Sequence, residues 1–118
     1  MHQMAFDANT DTLLLLVRPA GKPVNSQLLS LRRNGSEWVE VQRLDTNFKP
    51  EEINIAVCDS RVLLGQKTLG RVLVFDVSAN HILRADGFVD VRDPFYEITC
   101  TRRGVDTFLH SFTRKLYL

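Results

Sequence analysis

An internal repeat constrains this chain more than any other feature. Gln27-Leu28-Leu29-Ser30-Leu31 aligns with Arg71-Val72-Leu73-Val74-Phe75. In the same frame, Asn34-Gly35-Ser36 falls on Ser78-Ala79-Asn80, and Trp38-Val39 falls on Ile82-Leu83. One further period brings Lys115-Leu116-Tyr117-Leu118 onto the first of these segments. The segment upstream recurs as Leu13–Val17, Val62–Gly65 and Thr107–His110. The one before that recurs as Ile53–Cys58 and Tyr96–Thr101, with Gln3–Asp7 as a degenerate first copy. Each unit therefore reads strand, tight turn, strand, variable loop, strand, tight turn, strand.

The local chemistry agrees with strands. Apolar and polar residues alternate through Trp38–Leu44, Ile53–Val57 and Arg71–Val77, the two-residue period of a half-buried strand. Asn34-Gly35 between two such runs is a hairpin signal, because tight hairpin turns need positive φ. Asp59-Ser60 and Ser78–Asn80 read as further turns, and His81–Leu83 as the resumption of a strand. The one helix-like segment, Pro50-Glu51-Glu52, is too short to organise a core. The expected fold is all-β, with up to eleven short strands in a single β domain spanning 1–118. Its units cover about 1–45, 52–91 and 94–118.

A small twisted sheet cannot bury both faces by itself, and stacking a second sheet on each face can. Such stacking requires inner strands apolar on both faces, as in Leu13–Leu16 and Val62–Leu64, and a more polar outer strand, as in Glu40–Leu44. The segment Gly70-Arg71-Val72-Leu73-Val74-Phe75-Asp76-Val77 resembles the third strand of a WD-repeat blade, with Phe75-Asp76 in the place of Trp-Asp. Asp59–Gly65 is similar to the strand pair that precedes it in many propellers. The resemblance covers most of the chain as rhythm and one unit as motif. The Gly-His pair of WD repeats is missing, and Leu31-Arg32 stands at the Trp-Asp position of the first unit. It implies tandem four-stranded antiparallel meanders, the blades of a β-propeller.

Closed propellers have about four to eight blades, and 118 residues hold about 2.7 units of this length. The third unit stops short of its last strand. Three outcomes follow: a fragment whose remaining propeller lies elsewhere, closure by self-association into a homo-oligomer, or a single compact β-barrel or sandwich.

Composition excludes several function classes. Fifteen Lys and Arg against fourteen Asp and Glu leave a formal charge of +1, too little surplus to attract nucleic acid or an anionic membrane. The longest apolar run, Leu13–Val17, is far below a membrane span. No leader pattern precedes Asp11. Cys58 and Cys100 lack metal-ligand spacing with His2, His81 and His110. They read as two buried free thiols in a reducing, intracellular compartment, cytoplasmic or nuclear, with a disulfide between them as the second reading. No cofactor and no metal are expected.

Motifs for chemistry are weak. Asp86, Asp90 and Asp93 lie near Arg84 and Arg92 in what reads as a polar loop. They could serve a hydrolase only if two carboxyls converged. Ser60, Ser78 and Ser111 lack a neighbouring base, and His110 and Ser111 point to opposite faces of a strand. Gly65–Gly70 lacks the order of a phosphate loop and reads as a hairpin connection. Trp38 aligns with Ile82, which argues against a repeated sugar-stacking aromatic and for packing.

The expected function is a non-catalytic scaffold for a protein partner. Its binding surface is one rim, where Asp45–Glu51, Asp86–Phe95, Arg18–Ser26, Gln66–Gly70 and Phe112–Arg114 emerge together. Phe48, Lys49, Lys67, Arg92, Phe95 and Arg114 are the candidate contact residues, as exposed aromatics and cations often are. Phe48 and Phe95 have an equal claim to plug gaps between units. The alternatives are a ligand- or sugar-binding β domain, or a small β-barrel hydrolase using the Asp86–Asp93 loop.

Overall fold

A computed structural model describes residues 3–18, 25–90, 95–103 and 106–113, with side chains described in the first two segments and at Ile98. The expected strands Lys115–Leu118 and the candidates Arg92 and Arg114 lie outside the described residues, as does the side chain of Phe95.

The fold is all-β. Strands β1 (Gln3–Asp7), β2 (Thr12–Val17), β3 (Gln27–Asn34) and β4 (Glu37–Asp45) form one antiparallel meander in sequence order. Strands β5 (Ile53–Cys58), β6 (Arg61–Gln66), β7 (Arg71–Val77) and β8 (Leu83–Asp90) form a second. Strands β9 (Phe95–Arg103) and β10 (Asp106–Thr113) form a hairpin. Pro50–Glu52 is a single 3-10 turn. Among the described residues no sheet closes on itself, so the barrel alternative is set aside.

Register bears out the repeat between the first two units and corrects it in the third: Arg103 pairs Asp106 as Cys58 pairs Arg61, so Ile53–Cys58 is equivalent to 98–103 and not to the expected Tyr96–Thr101. Thr12 pairs Arg32 as Arg61 pairs Asp76, and Gln3 pairs Leu16 as Asn54 pairs Gly65. Gln3–Asp7 is thus a true first strand, equivalent to Asn54–Cys58.

Turn chemistry sets these registers. Cys58 pairs Arg61 across Asp59 and Ser60, both at positive φ (54° and 57°), the requirement of a type I′ hairpin. The β3–β4 loop is Gly35-Ser36, not Asn34-Gly35. Asn34 stays in the ladder opposite Glu37, and the positive φ falls on Gly35 at 66°, the first loop position of a type II′ turn.

Strand β8 departs most from expectation. It begins at Leu83 and runs through Asp90, so Asp86 and Asp90 lie on an exposed strand and not in a loop. The reason is cross-strand pairing: Phe88 sits opposite Leu73 and Val89 opposite Val72, which extends the ladder past the Asp86-Gly87 irregularity. His81 belongs to the preceding turn, at φ 66°.

The sheets stack face to face. Leu14, Leu16 and Leu28 of the first sheet share one core with Ile53, Val62, Leu64, Val77 and Leu83 of the second. Leu63 and Val72 point to the other side and pack with Ile98 of β9. The second sheet is therefore buried on both faces, as alternation in β6 requires. Strand β5 lies between β1 and β9, so the first strands of all three units are neighbours.

Candidate functional site

Meander topology sends the β2–β3, β4–β5 and β6–β7 connections to one rim. Backbone and side-chain hydrogen bonds tie them there. Ser26 N–H donates to Phe48 O at 2.7 Å, and Thr46 N–H donates to Ser26 O at 3.1 Å. The hydroxyls of Ser26 and Thr46 meet at 2.7 Å, both buried. Lys67 N–H donates to Glu52 O at 2.9 Å, and Arg18 pairs with Glu51 at 3.1 Å. Lys49 is held by its N–H to Glu52 Oε1 at 3.1 Å.

Of the candidate contact residues, the structure brings Phe48, Lys49 and Lys67 to this rim. Lys49 is exposed and Lys67 half-buried. Phe48 is half-buried and packs against the core between the first two sheets, so it plugs a gap and is not a free contact. Leu69, 56 % exposed, stands in the same β6–β7 turn and was missed by the sequence reading. Its neighbours Thr68 and Gly70 mark it only as a turn residue.

The opposite rim carries a polar chain that sequence spacing could not reveal. Thr10 Oγ1 donates to Asp7 Oδ2 and meets Thr12 Oγ1 at 2.8 Å. Thr12 Oγ1 lies 2.7 Å from His81 Nδ1, and Ser60 Oγ reaches Asp7 Oδ1 at 3.5 Å. Asp7 and Thr12 are buried. A hydrolytic triad would place the imidazole between hydroxyl and carboxylate. Here two hydroxyls separate His81 from Asp7, and the nearer one, Thr12, is closed to solvent. The chain ties the β1–β2 turn to the β7–β8 turn.

Beside it, Asp76, Val77, Ser78, Ile82, Leu83 and Arg84 line an open, mainly apolar groove of about 460 Å³. Asp76 lies 3.8 Å from Arg61 and 3.6 Å from Arg84. Asp86 and Asp90 are exposed on β8, and Asp93 lies outside the described residues. Among the described residues no group of three His, Cys, Asp or Glu could hold a metal ion.

Cys58 corrects the sequence reading. It is half-buried and disulfide-bonded, not a free buried thiol. The chain holds one other cysteine, Cys100. A half-buried position at a strand end explains why burial of a free thiol fails here.

The faces of the first sheet differ in what covers them. Toward the second sheet, Gln3 Nε2 donates to Ile53 O at 2.8 Å and Ile55 N–H donates to Gln3 Oε1 at 3.0 Å. Asn54, at the equivalent position, donates to Ile98 O at 3.2 Å. Leu83 N–H donates to Gln42 Oε1 at 2.8 Å. The other face carries Met4 and Phe6, 71 % and 46 % exposed, over Leu29 and Leu31. Phe6 meets Trp38 edge-on at 6.2 Å, and the Arg33 guanidinium lies 4.4 Å over the Trp38 ring. Trp38 is thus engaged in packing, as its lack of a repeated aromatic partner suggested. No protein-family profile, curated protein or solved structure matches this chain.

Proposed function

We propose that this chain is a protein-interaction scaffold built from β-propeller blades of the broad WD-repeat-like type. The carrying observation is that the second sheet is stacked on both faces while, among the described residues, Met4 and Phe6 stay exposed on the outer face of the first, beside the buried Leu29 and Leu31. That is how tandem blades bury themselves. A stacked arc of this kind presents its loops as one rigid rim, and Lys49, Lys67 and Leu69 offer that rim cations beside an exposed aliphatic side chain. A partner with an acidic, partly apolar loop fits this chemistry. The test is recovery of a protein partner by the wild type, by Lys49→Glu/Lys67→Glu and by Asp86→Ala/Asp90→Ala. The partner is lost with the rim variant and kept with the acid variant. The opposite pattern, with loss of a hydrolytic activity, favours the hydrolase.

Ligand binding is a second reading, supported by the groove beside Ile82, whose volume falls in the range of small-molecule sites, roughly 300–1,000 Å³. A glycan array without hits removes its sugar-binding form. Among the described residues no helix is long and apolar enough to cross a membrane. The Cys58 disulfide supports an oxidising compartment, which weighs against the cytoplasmic or nuclear placement expected from the sequence.

A further inference from the structure

The outer strands β4 and β8 carry equivalent positions with different chemistry. Arg43 pairs Leu29 as Phe88 pairs Leu73, and Glu40 pairs Leu31 as Ala85 pairs Phe75. Gln27 and Arg71 begin the strands beside them. In the first sheet the cation is Arg43, and Glu40 and the Gln27 side chain satisfy it. In the second sheet the cation is Arg71, whose guanidinium lies 4.4 Å over the Phe88 ring. Ala85 stands where Glu40 neutralises the first cation. Arg71 is exposed and Phe88 is 56 % exposed, so this second pair is open to solvent.

The ion pairs of the chain single out the same place. Among the described residues, Arg18, Arg33, Arg43, Arg61 and Arg84 each lie against a carboxylate. Arg32, Lys49, Lys67 and Arg71 do not, and the last three stand at one rim. Lys67 lies in the β6–β7 turn, which Arg71 closes opposite Gln66. Lys49 precedes the 3-10 turn whose Glu52 O receives the Lys67 N–H. The acids beside them are engaged: Glu51 with Arg18, Glu52 with the Lys49 N–H, and Asp45 with the Asn47 N–H.

We infer that Arg71, held over Phe88, is the anchor by which this rim takes an aspartate or glutamate side chain from an extended acidic segment of a protein partner. The inference rests on the scaffold reading above and names the residue that makes it specific. A guanidinium whose face rests on an aromatic ring keeps its N–H edges free. A carboxylate matches such an edge with two parallel, charge-assisted hydrogen bonds. The stacked side chain is ordered before binding, so less affinity is lost in fixing it. Lys49 and Lys67 extend the positive field, and Leu69 and the Phe88 ring offer apolar contact to a neighbouring side chain. A formal charge of +1 provides no wider basic surface for a nucleic acid.

The experiment selects a displayed library of random peptides on the 118-residue chain. Enriched peptides are then synthesised and titrated, by fluorescence anisotropy, with the wild type, Arg71→Ala, Arg71→Lys and Arg32→Ala. Both arginines are exposed, so the variants keep their fold, checked by circular dichroism. The enriched peptides carry an aspartate or glutamate close to an aliphatic or aromatic residue. Arg71→Ala weakens them by at least about 10-fold, and Arg71→Lys also weakens them, because the charge remains but the planar fork is lost. Arg32→Ala binds as the wild type does. Failure to enrich any peptide, enrichment of peptides without an acid, or equal binding by Arg71→Ala overturns the inference. Self-association that Arg71→Ala abolishes makes a second copy the occupant and overturns the acidic segment. A protein partner lost with Lys49→Glu/Lys67→Glu but kept with Arg71→Ala leaves the scaffold reading standing and removes the Arg71 anchor.

Discussion

Gln3 and Asn54 occupy equivalent positions and do the same work to different extents. The Gln3 amide uses both its ends on β5, taking a carbonyl and giving an acceptor to an N–H. Asn54 is one methylene shorter. Its amide nitrogen reaches Ile98 O, and its Oδ1 is buried without a hydrogen-bond partner. Gln3→Ala leaves the two backbone groups of β5 unpaired inside the stack. It should cost about 1–3 kcal/mol in chemical denaturation. Asn54→Gln supplies the missing reach toward the next backbone N–H of β9, and should raise stability by about 0.5–1.5 kcal/mol. An unchanged or lower midpoint would show that β9 does not repeat the β5 geometry. Thr12→Val keeps the shape of a fully buried side chain and removes the hydroxyl shared by Thr10 and His81. A loss of about 1–2 kcal/mol is expected, measured by the same denaturation. None of these roles was legible in the sequence. An amide or hydroxyl side chain carries no mark of a partner 50 or 69 residues away.

At the scale of elements much more was legible. Alternation in Ile53–Val57 and Arg71–Val77 is a direct consequence of one face being buried differently from the other, so it survives in sequence. Turn positions were legible where the chain must take positive φ, as at Asp59-Ser60. They slipped by one residue at Gly35, because Asn-Gly suits a type I′ turn and the structure uses Gly-Ser. Strand β8 was hidden because its outward residues Arg84, Asp86 and Asp90 imitate a loop, and its pairing depends on Leu73 and Val72 in another strand. At the candidate rim, strand order alone was legible, and the side-chain orientations were not. Phe48 turned inward because it lies under the β4–β5 connection, where the two sheets leave a gap. Two predictions belong here. Ser60→Gly relieves a left-handed side-chain conformation in the β5–β6 turn and gives up only the long 3.5 Å contact of its hydroxyl to Asp7, which keeps Thr10; it should raise the thermal midpoint, by about 0.5 kcal/mol of stability. Cys58→Ser, or a reductant, should lower stability by roughly 2–4 kcal/mol. Hydrogen exchange should show that loss first in β9 and β10.

The described residues form two four-stranded sheets and a hairpin whose first strands are neighbours and whose sheets are stacked in chain order. Periodicity announced that arrangement, since a repeated amphipathic unit demands a repeated interface. Which face meets which neighbour was not legible, because in β2 and β6 both faces are apolar. The stacking order makes a direct claim about side-chain proximity. The measurement that tests it is a methyl–methyl nuclear Overhauser spectrum of the assigned chain. Cross-peaks should link Leu14, Leu16 and Leu28 with Val62, Leu64 and Val77. Leu13 and Leu15 should show none to those residues. Cross-peaks from Leu13 and Leu15 to Val62 or Leu64, in place of the first set, would mean that the sheets pack through the opposite face, and would contradict the stacking order.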